Sequence, residues 1–144
     1  METSSIICSG GLFLSKETKR FLLLLRNQGK TAGTWSIVGG KKEPSDYTIF
    51  DGLKREIDEE IGKLSIPVIK TVPLELFVSH DQQFQYNTYI LIVEKEFIPE
   101  LNHEHSGYAW CNFDCWPRPL HQGLKNSFNN KIIRAKLEIM LELI

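Results

Sequence analysis

At 144 residues, 42% of them hydrophobic, the chain matches one ordinary domain with a real core, which excludes extensive disorder. Seventeen basic against eighteen acidic residues leave a net charge of −1, which excludes the broadly basic face that duplex nucleic acid requires. Three cysteines (Cys8, Cys111, Cys115) without a CxxC pair disfavour a disulfide scaffold or structural zinc and fit a reducing, cytoplasmic setting, and apolar runs of at most five residues fall far below the ~20 of a membrane helix.

In chain order, the opening METSSIICSGG has no basic start and no sustained apolar stretch, so no signal peptide is expected. Residues 6–14 and 20–26 read as strands joined in a hairpin through a polar turn. Residues 27–34 form a polar, glycine-containing loop, and 35–38 a brief strand ending at Gly39-Gly40. A helix is expected from Thr48, with Thr48 as N-cap and Asp51 at the third helical position, close to a capping box. Ile49, Phe50, Leu53, Ile57 and Ile61 recur at helical spacing as its buried face, and Gly62 ends it.

Residues 66–79 and 84–97 again read as strands, and Pro67 and Pro73 make the first an edge strand or an interrupted one. Residues 103–107 form a polar loop, 108–112 a short strand and 116–123 a proline-rich connector. From about Ser127 the stripe Phe128, Ile132, Ile133, Leu137, Met140 and Leu143 predicts one core-facing carboxy-terminal helix. Strands on both sides of a central helix, plus a closing helix, predict a mixed sheet between helices in a single α/β domain spanning residues 1–144.

The chemistry is concentrated in Arg55-Glu56-Ile57-Asp58-Glu59-Glu60-Ile61-Gly62. Glu56, Glu59 and Glu60 stand at helical positions i, i+3 and i+4, hence on one side, while Ile57 and Ile61 turn to the core. Three carboxylates on one patch repel each other, and a hard divalent cation such as Mg²⁺ or Mn²⁺ would absorb that charge. The alternative is a solvated acidic face balanced by Lys54, Arg55 and Lys63.

With Trp35-Ser36-Ile37-Val38-Gly39-Gly40-Lys41-Lys42-Glu43-Pro44 upstream, the stretch resembles the signature of the Nudix hydrolase family, the MutT-like enzymes. That signature reads Gly-x5-Glu-x7-Arg-Glu-U-x-Glu-Glu-x-Gly-U, with U a bulky apolar residue. Arg55, Glu56, Ile57, Glu59, Glu60 and Gly62 match its second half, and Gly39 and Gly40 its glycine pair. Three positions depart from it. The sixth residue after Gly40 is Asp46 rather than Glu, and eight residues rather than seven separate it from Arg55, so either Asp46 or Glu43 stands for the loop acid. Lys63 replaces the last apolar residue, with Leu64 beside it. Val38 replaces the proline that often precedes the glycines.

The resemblance implies an α/β/α sandwich with a loop–helix–loop metal site, and hydrolysis of the phosphoanhydride of a nucleoside diphosphate linked to another moiety. It implies Mg²⁺ or Mn²⁺ on Glu56, Glu59 and Glu60 with the Gly39 carbonyl, and Arg55 holding an acidic side chain in place. Arg26 and Lys41 become candidates for substrate phosphates. Glu104, six residues before Trp110, becomes a further metal ligand or base, so that the base is either Glu56 or Glu104. Partners are a small nucleotide diphosphate and, at most, a second copy of the chain, with no duplex nucleic acid and no membrane. Two alternatives remain: a nucleotide-sugar hydrolase of the GDP-mannose mannosyl hydrolase type, with His103 or His105 as base, and a non-catalytic nucleotide-binding module of the same fold. Ser79-His80-Asp81 has the residue types of a catalytic triad, but sequence neighbours rarely form one, and a polar loop is expected there.

Overall fold

The structure, a computed structural model, describes residues 5–144. The reading of the amino-terminal segment falls partly on residues 1–4, which lie outside the described residues. The elements follow in the order β1 (Ile6–Ser15), β2 (Phe21–Arg26), β3 (Trp35–Ser36), β4 (Val38–Lys41), α1 (Ile49–Ile61), β5 (Val68–Val78), β6 (Phe84–Val93), β7 (His105–Cys111), α2 (Gln122–Asn129) and α3 (Lys131–Leu143).

The strands form one mixed sheet with the order β3-β2-β1-β6-β5, to which β4 adds on β1 and β7 on β2. Strands β1 and β6 run parallel from Ile6↔Phe84 to Ser15↔Val93, and the other pairings are antiparallel. Helices cover both faces, and alternation divides the side chains between them. Leu12, Leu14, Phe21, Leu23, Ile90 and Ile92 pack with Leu124, Phe128, Ile133 and Leu137 of α2 and α3. Phe13, Leu22, Leu24, Leu91 and Val93 pack with Leu53, Ile57 and Ile61 of α1. Each fully buried side chain of this size contributes roughly 1.5–3 kcal/mol. Burial on both faces explains why β2 and the end of β6, residues 90–93, read as continuous apolar runs.

Several boundaries differ from the sequence reading. The expected strand 35–38 is two strands, and Gly39-Gly40 lie inside β4, paired with Gly10 and Ser9. A Cβ on Gly39 would collide with the Ser9 carbonyl oxygen, so the close approach of β4 to β1 requires glycine there. Strand β6 ends at Val93, and β7 begins at His105, two residues inside the expected polar loop.

The single carboxy-terminal helix is two helices. Asn130 has extended backbone between them, and its side-chain oxygen accepts from the N–H groups of Ile132 (2.9 Å) and Ile133 (3.2 Å), which caps α3 and ends α2. Strand β5 is both at the sheet edge and irregular, with register shifts at Val68/Lys70 and Pro73/Glu75. Ser79 donates to Asp81 (2.6 Å) within the β5–β6 turn, as expected of a polar loop. Leu64 packs against the α1-side core in the place of the apolar residue that Lys63 replaces.

Candidate active site

Helix α1 begins with the reciprocal cap expected from Thr48 and Asp51: Asp51 N–H donates to Thr48 Oγ1 (3.0 Å) and Thr48 N–H to Asp51 Oδ2 (3.1 Å). With its start set, the helix turns Glu56 and Glu60, 40° apart around its axis, toward β4. Glu60 is 2% exposed, and its Oε2 accepts from the Gly39 N–H at 3.2 Å. Glu56 lies against Gly40, where an added Cβ would stand 2.5 Å from Glu56 Oε1. The second glycine of the pair thus makes room for a carboxylate.

Burial pushes the Glu60 carboxyl up to about 9, helped by hydrogen bonding with Glu56 and by the charges of Glu56 and Glu104; the Gly39 N–H opposes this weakly.

Glu59, 60° round the helix from Glu56 on the side away from Glu60, does not join the pair. Its side chain is 54% exposed and is held by Arg55 at 3.3 Å. The acidic face read from the helix spacing is therefore divided, with two carboxylates turned inward and one outward.

Arg55 is fully engaged. It grips Asp46 through two bonds (Nε to Oδ1 3.1 Å, Nη2 to Oδ2 3.0 Å) and also donates to Glu56 Oε1 (3.1 Å) and the Lys41 carbonyl (3.1 Å). Asp46 is buried and accepts the Glu43 N–H at 2.8 Å, and the Arg55 guanidinium holds its carboxyl below the usual range. Glu43 stays exposed, 3.5 Å from Arg55. Of the two loop acids left open by the sequence, Asp46 is the one seated on the arginine. Gly52 permits this, since a Cβ there would come 3.0 Å from Asp46 Oδ2.

Glu56 and Glu60 open onto a cavity of about 690 Å³, within the range of small-molecule sites. Gly39, Lys41, Arg26 and Glu104 line it too; Arg55 and Glu59 do not. Arg26, at the end of β2, is steadied by Thr31 (Nε to Oγ1 2.6 Å). The loop of Glu104 is tied to α1 because the Asn102 N–H donates to the Glu60 carbonyl (3.2 Å), while Asn102 Nδ2 donates to Glu104 Oε2 (3.3 Å). These bonds bring a residue remote in sequence beside the acidic pair.

The far wall comes from Phe84, Tyr86 and Thr88 of β6, Glu75 and Phe77 of β5, and residues of α2, none of which the sequence reading chose. Alternation with Ile90 and Ile92 is the signal that places Phe84, Tyr86 and Thr88 on the face covered by α2. Of the two loop histidines, His103 is exposed and His105 is buried in the cavity wall.

As they stand, no three acidic, histidine or cysteine side chains among the described residues surround one point. The donor set nevertheless fits a hard divalent cation. Glu60 is a buried carboxyl whose charged form is disfavoured largely by burial and by Glu56, and a cation beside it would relieve both costs with oxygen ligands alone.

The NUDIX domain profile matches residues 9–131, and the chain belongs to the NUDIX family. Its class is that of Nudix-type pyrophosphohydrolases, which generally act on nucleoside diphosphate derivatives and generally need divalent metal cations. Among solved structures it is similar to a MutT NUDIX hydrolase from Burkholderia pseudomallei (19% identity, 90% of this chain and 99% of that chain, TM-score 0.67). It is also similar to the MutT protein from Methanosarcina mazei Go1 (25% identity, 94% and 98%, TM-score 0.63). A third likeness is to the NUDIX domain of Shewanella oneidensis NrtR, solved with ADP ribose (13% identity, 94% and 90%, TM-score 0.73). No curated protein matches the chain. No helix of the described residues is long and apolar enough to cross a membrane.

Proposed function

We propose that this protein hydrolyses the phosphoanhydride of a nucleoside diphosphate linked to another moiety, with Mg²⁺ or Mn²⁺ held by Glu56 and Glu60. The observation that carries this reading is the pairing of a buried Glu60 with a half-buried Glu56, both opening on a nucleotide-sized cavity. The Gly39 carbonyl and Glu104 would complete the ligand set, and Glu59 would join by turning away from Arg55. A cation held there would supply charge neutralisation for the diphosphate and would make water acidic enough to serve as the nucleophile near neutral pH.

The chain's own residues do the rest. Arg26 and Lys41 bring positive charge to the cavity wall, where the substrate phosphates would lie. Glu104 or Glu56 accepts the proton of the attacking water. Arg55 acts as a positioning residue, joining the Asp46 loop to Glu56 so that the helix and β4 present their groups together.

The test is a screen of nucleoside triphosphates, dinucleoside polyphosphates, NADH, sugar nucleotides and ADP-ribose (the ligand in the Shewanella structure), each with Mg²⁺ or Mn²⁺ and with EDTA. Turnover of at least one should be abolished by EDTA. In ¹⁸O-labelled water the label should enter a phosphate product. Label on the anomeric carbon of a released sugar would instead make this a nucleotide-sugar hydrolase.

Gly40→Ala supplies a second check. The three atoms nearest the added methyl all belong to the flexible end of Glu56, so the fold should hold while the carboxylate is displaced. Mn²⁺ affinity should fall by roughly 10–100-fold, the scale of a disturbed metal-ligand environment, with an unchanged far-UV circular dichroism spectrum.

A further inference from the structure

His105 opens β7 opposite Arg26, where the β2–β7 register shifts between Leu25 and Arg26. Such an irregularity re-aims nearby side chains. The imidazole is 1% exposed, yet neither Nδ1 nor Nε2 has a hydrogen-bond partner among the described residues. A buried imidazole left without partners is costly, and its retention calls for a role. Its Nδ1 stands 3.7 Å from Glu60 Oε1, just beyond hydrogen-bond reach, while the other oxygen of Glu60 already accepts the Gly39 N–H. The two carboxylate oxygens are thus bracketed, one by a backbone donor and one by the histidine. An imidazole carries an N–H in either of its charge states, so the ring has a proton to offer from this position.

We propose that His105 is a positioning residue for Glu60: its Nδ1–H donates to Oε1 when Glu60 holds a divalent cation, fixing the carboxylate's rotation and leaving its remaining lone pairs to the cation. This rests on the reading of Glu60 as a metal ligand. Neighbouring donors that orient a ligand commonly set metal affinity by roughly 10–100-fold. The imidazole itself need touch neither metal nor substrate.

The experiment is Mn²⁺ binding without substrate, followed by the electron paramagnetic resonance of free Mn²⁺, for the parent and for His105→Leu, His105→Asn and His105→Gln. The leucine variant should bind roughly 10–100-fold more weakly. The asparagine amide places an N–H near the Nδ1 position and should restore affinity close to the parent's. The glutamine amide reaches toward the Nε2 position and should behave like leucine. Equal affinities of the parent and the leucine variant would overturn the proposal while leaving the metal site standing. Should the leucine variant fail to fold, equal affinities of the asparagine and glutamine variants overturn it in the same way. A parent that binds no Mn²⁺ overturns the metal reading, and this inference with it.

Discussion

Replacing Glu60 by Gln should lower turnover on the order of 10³-fold, the equivalent of several kcal/mol of transition-state charge stabilisation. The same substitution should raise the thermal stability of the metal-free protein. The two effects share one cause. Glu60 is buried beside Glu56, and its carboxyl is pushed from 4.5 to about 9 by burial, by hydrogen bonding with Glu56 and by the charges of Glu56 and Glu104. The folded chain therefore holds this proton more tightly than the unfolded chain. Its contribution to stability is fully present below 4.5 and is lost as pH rises through about 9. Glutamine has the same shape and no charge to lose. The EDTA-treated parent should lose melting temperature with rising pH across that window, and Glu60→Gln should lose much less. Saturating Mn²⁺ should restore the parent and not the variant. Parental turnover in Glu60→Gln, or parallel melting curves, would refute this account of the site.

Glu104→Gln should lower turnover by ~10²-fold or more, the lower scale of a general base. Its loop lies outside the acidic helix, but Asn102 ties that loop to the Glu60 carbonyl and contacts the Glu104 carboxylate, which is close enough to raise the Glu60 pKa. A role as base predicts unchanged Mn²⁺ affinity in the variant. A role as ligand predicts a rise in the metal concentration needed for half-maximal activity. Near-parental kinetics at saturating metal would reduce Glu104 to a solvated loop residue and leave Glu56 as the base.

Helix α1 was legible in the sequence because its determinants are local. The Thr48–Asp51 cap, the spacing of Leu53, Ile57 and Ile61, and the terminal Gly62 all act within a few residues, and the structure bears out each of them. The apolar runs of β2 and the end of β6 were likewise legible as strands, and both are buried on the two faces of the sheet. The capacity of Asn130 to cap a new helix was also written locally, but the apolar stripe through Phe128 and Ile133 masked it.

What only the tertiary structure decided depends on contacts between segments far apart in the chain. Asp46 rather than Glu43 takes Arg55 because the loop folds over Gly52, which has no side chain to exclude it. Glu59 turns out to Arg55 while Glu60 turns in, because β4, pinned to β1 by its glycines, presents the Gly39 N–H on one side of the helix only. His105 passes from an expected polar loop to a buried wall because pairing with β2 extends β7 back to it. Helical spacing places carboxylates around an axis, but burial and partners depend on what packs against each side, and here those neighbours come from β1, β2 and β4.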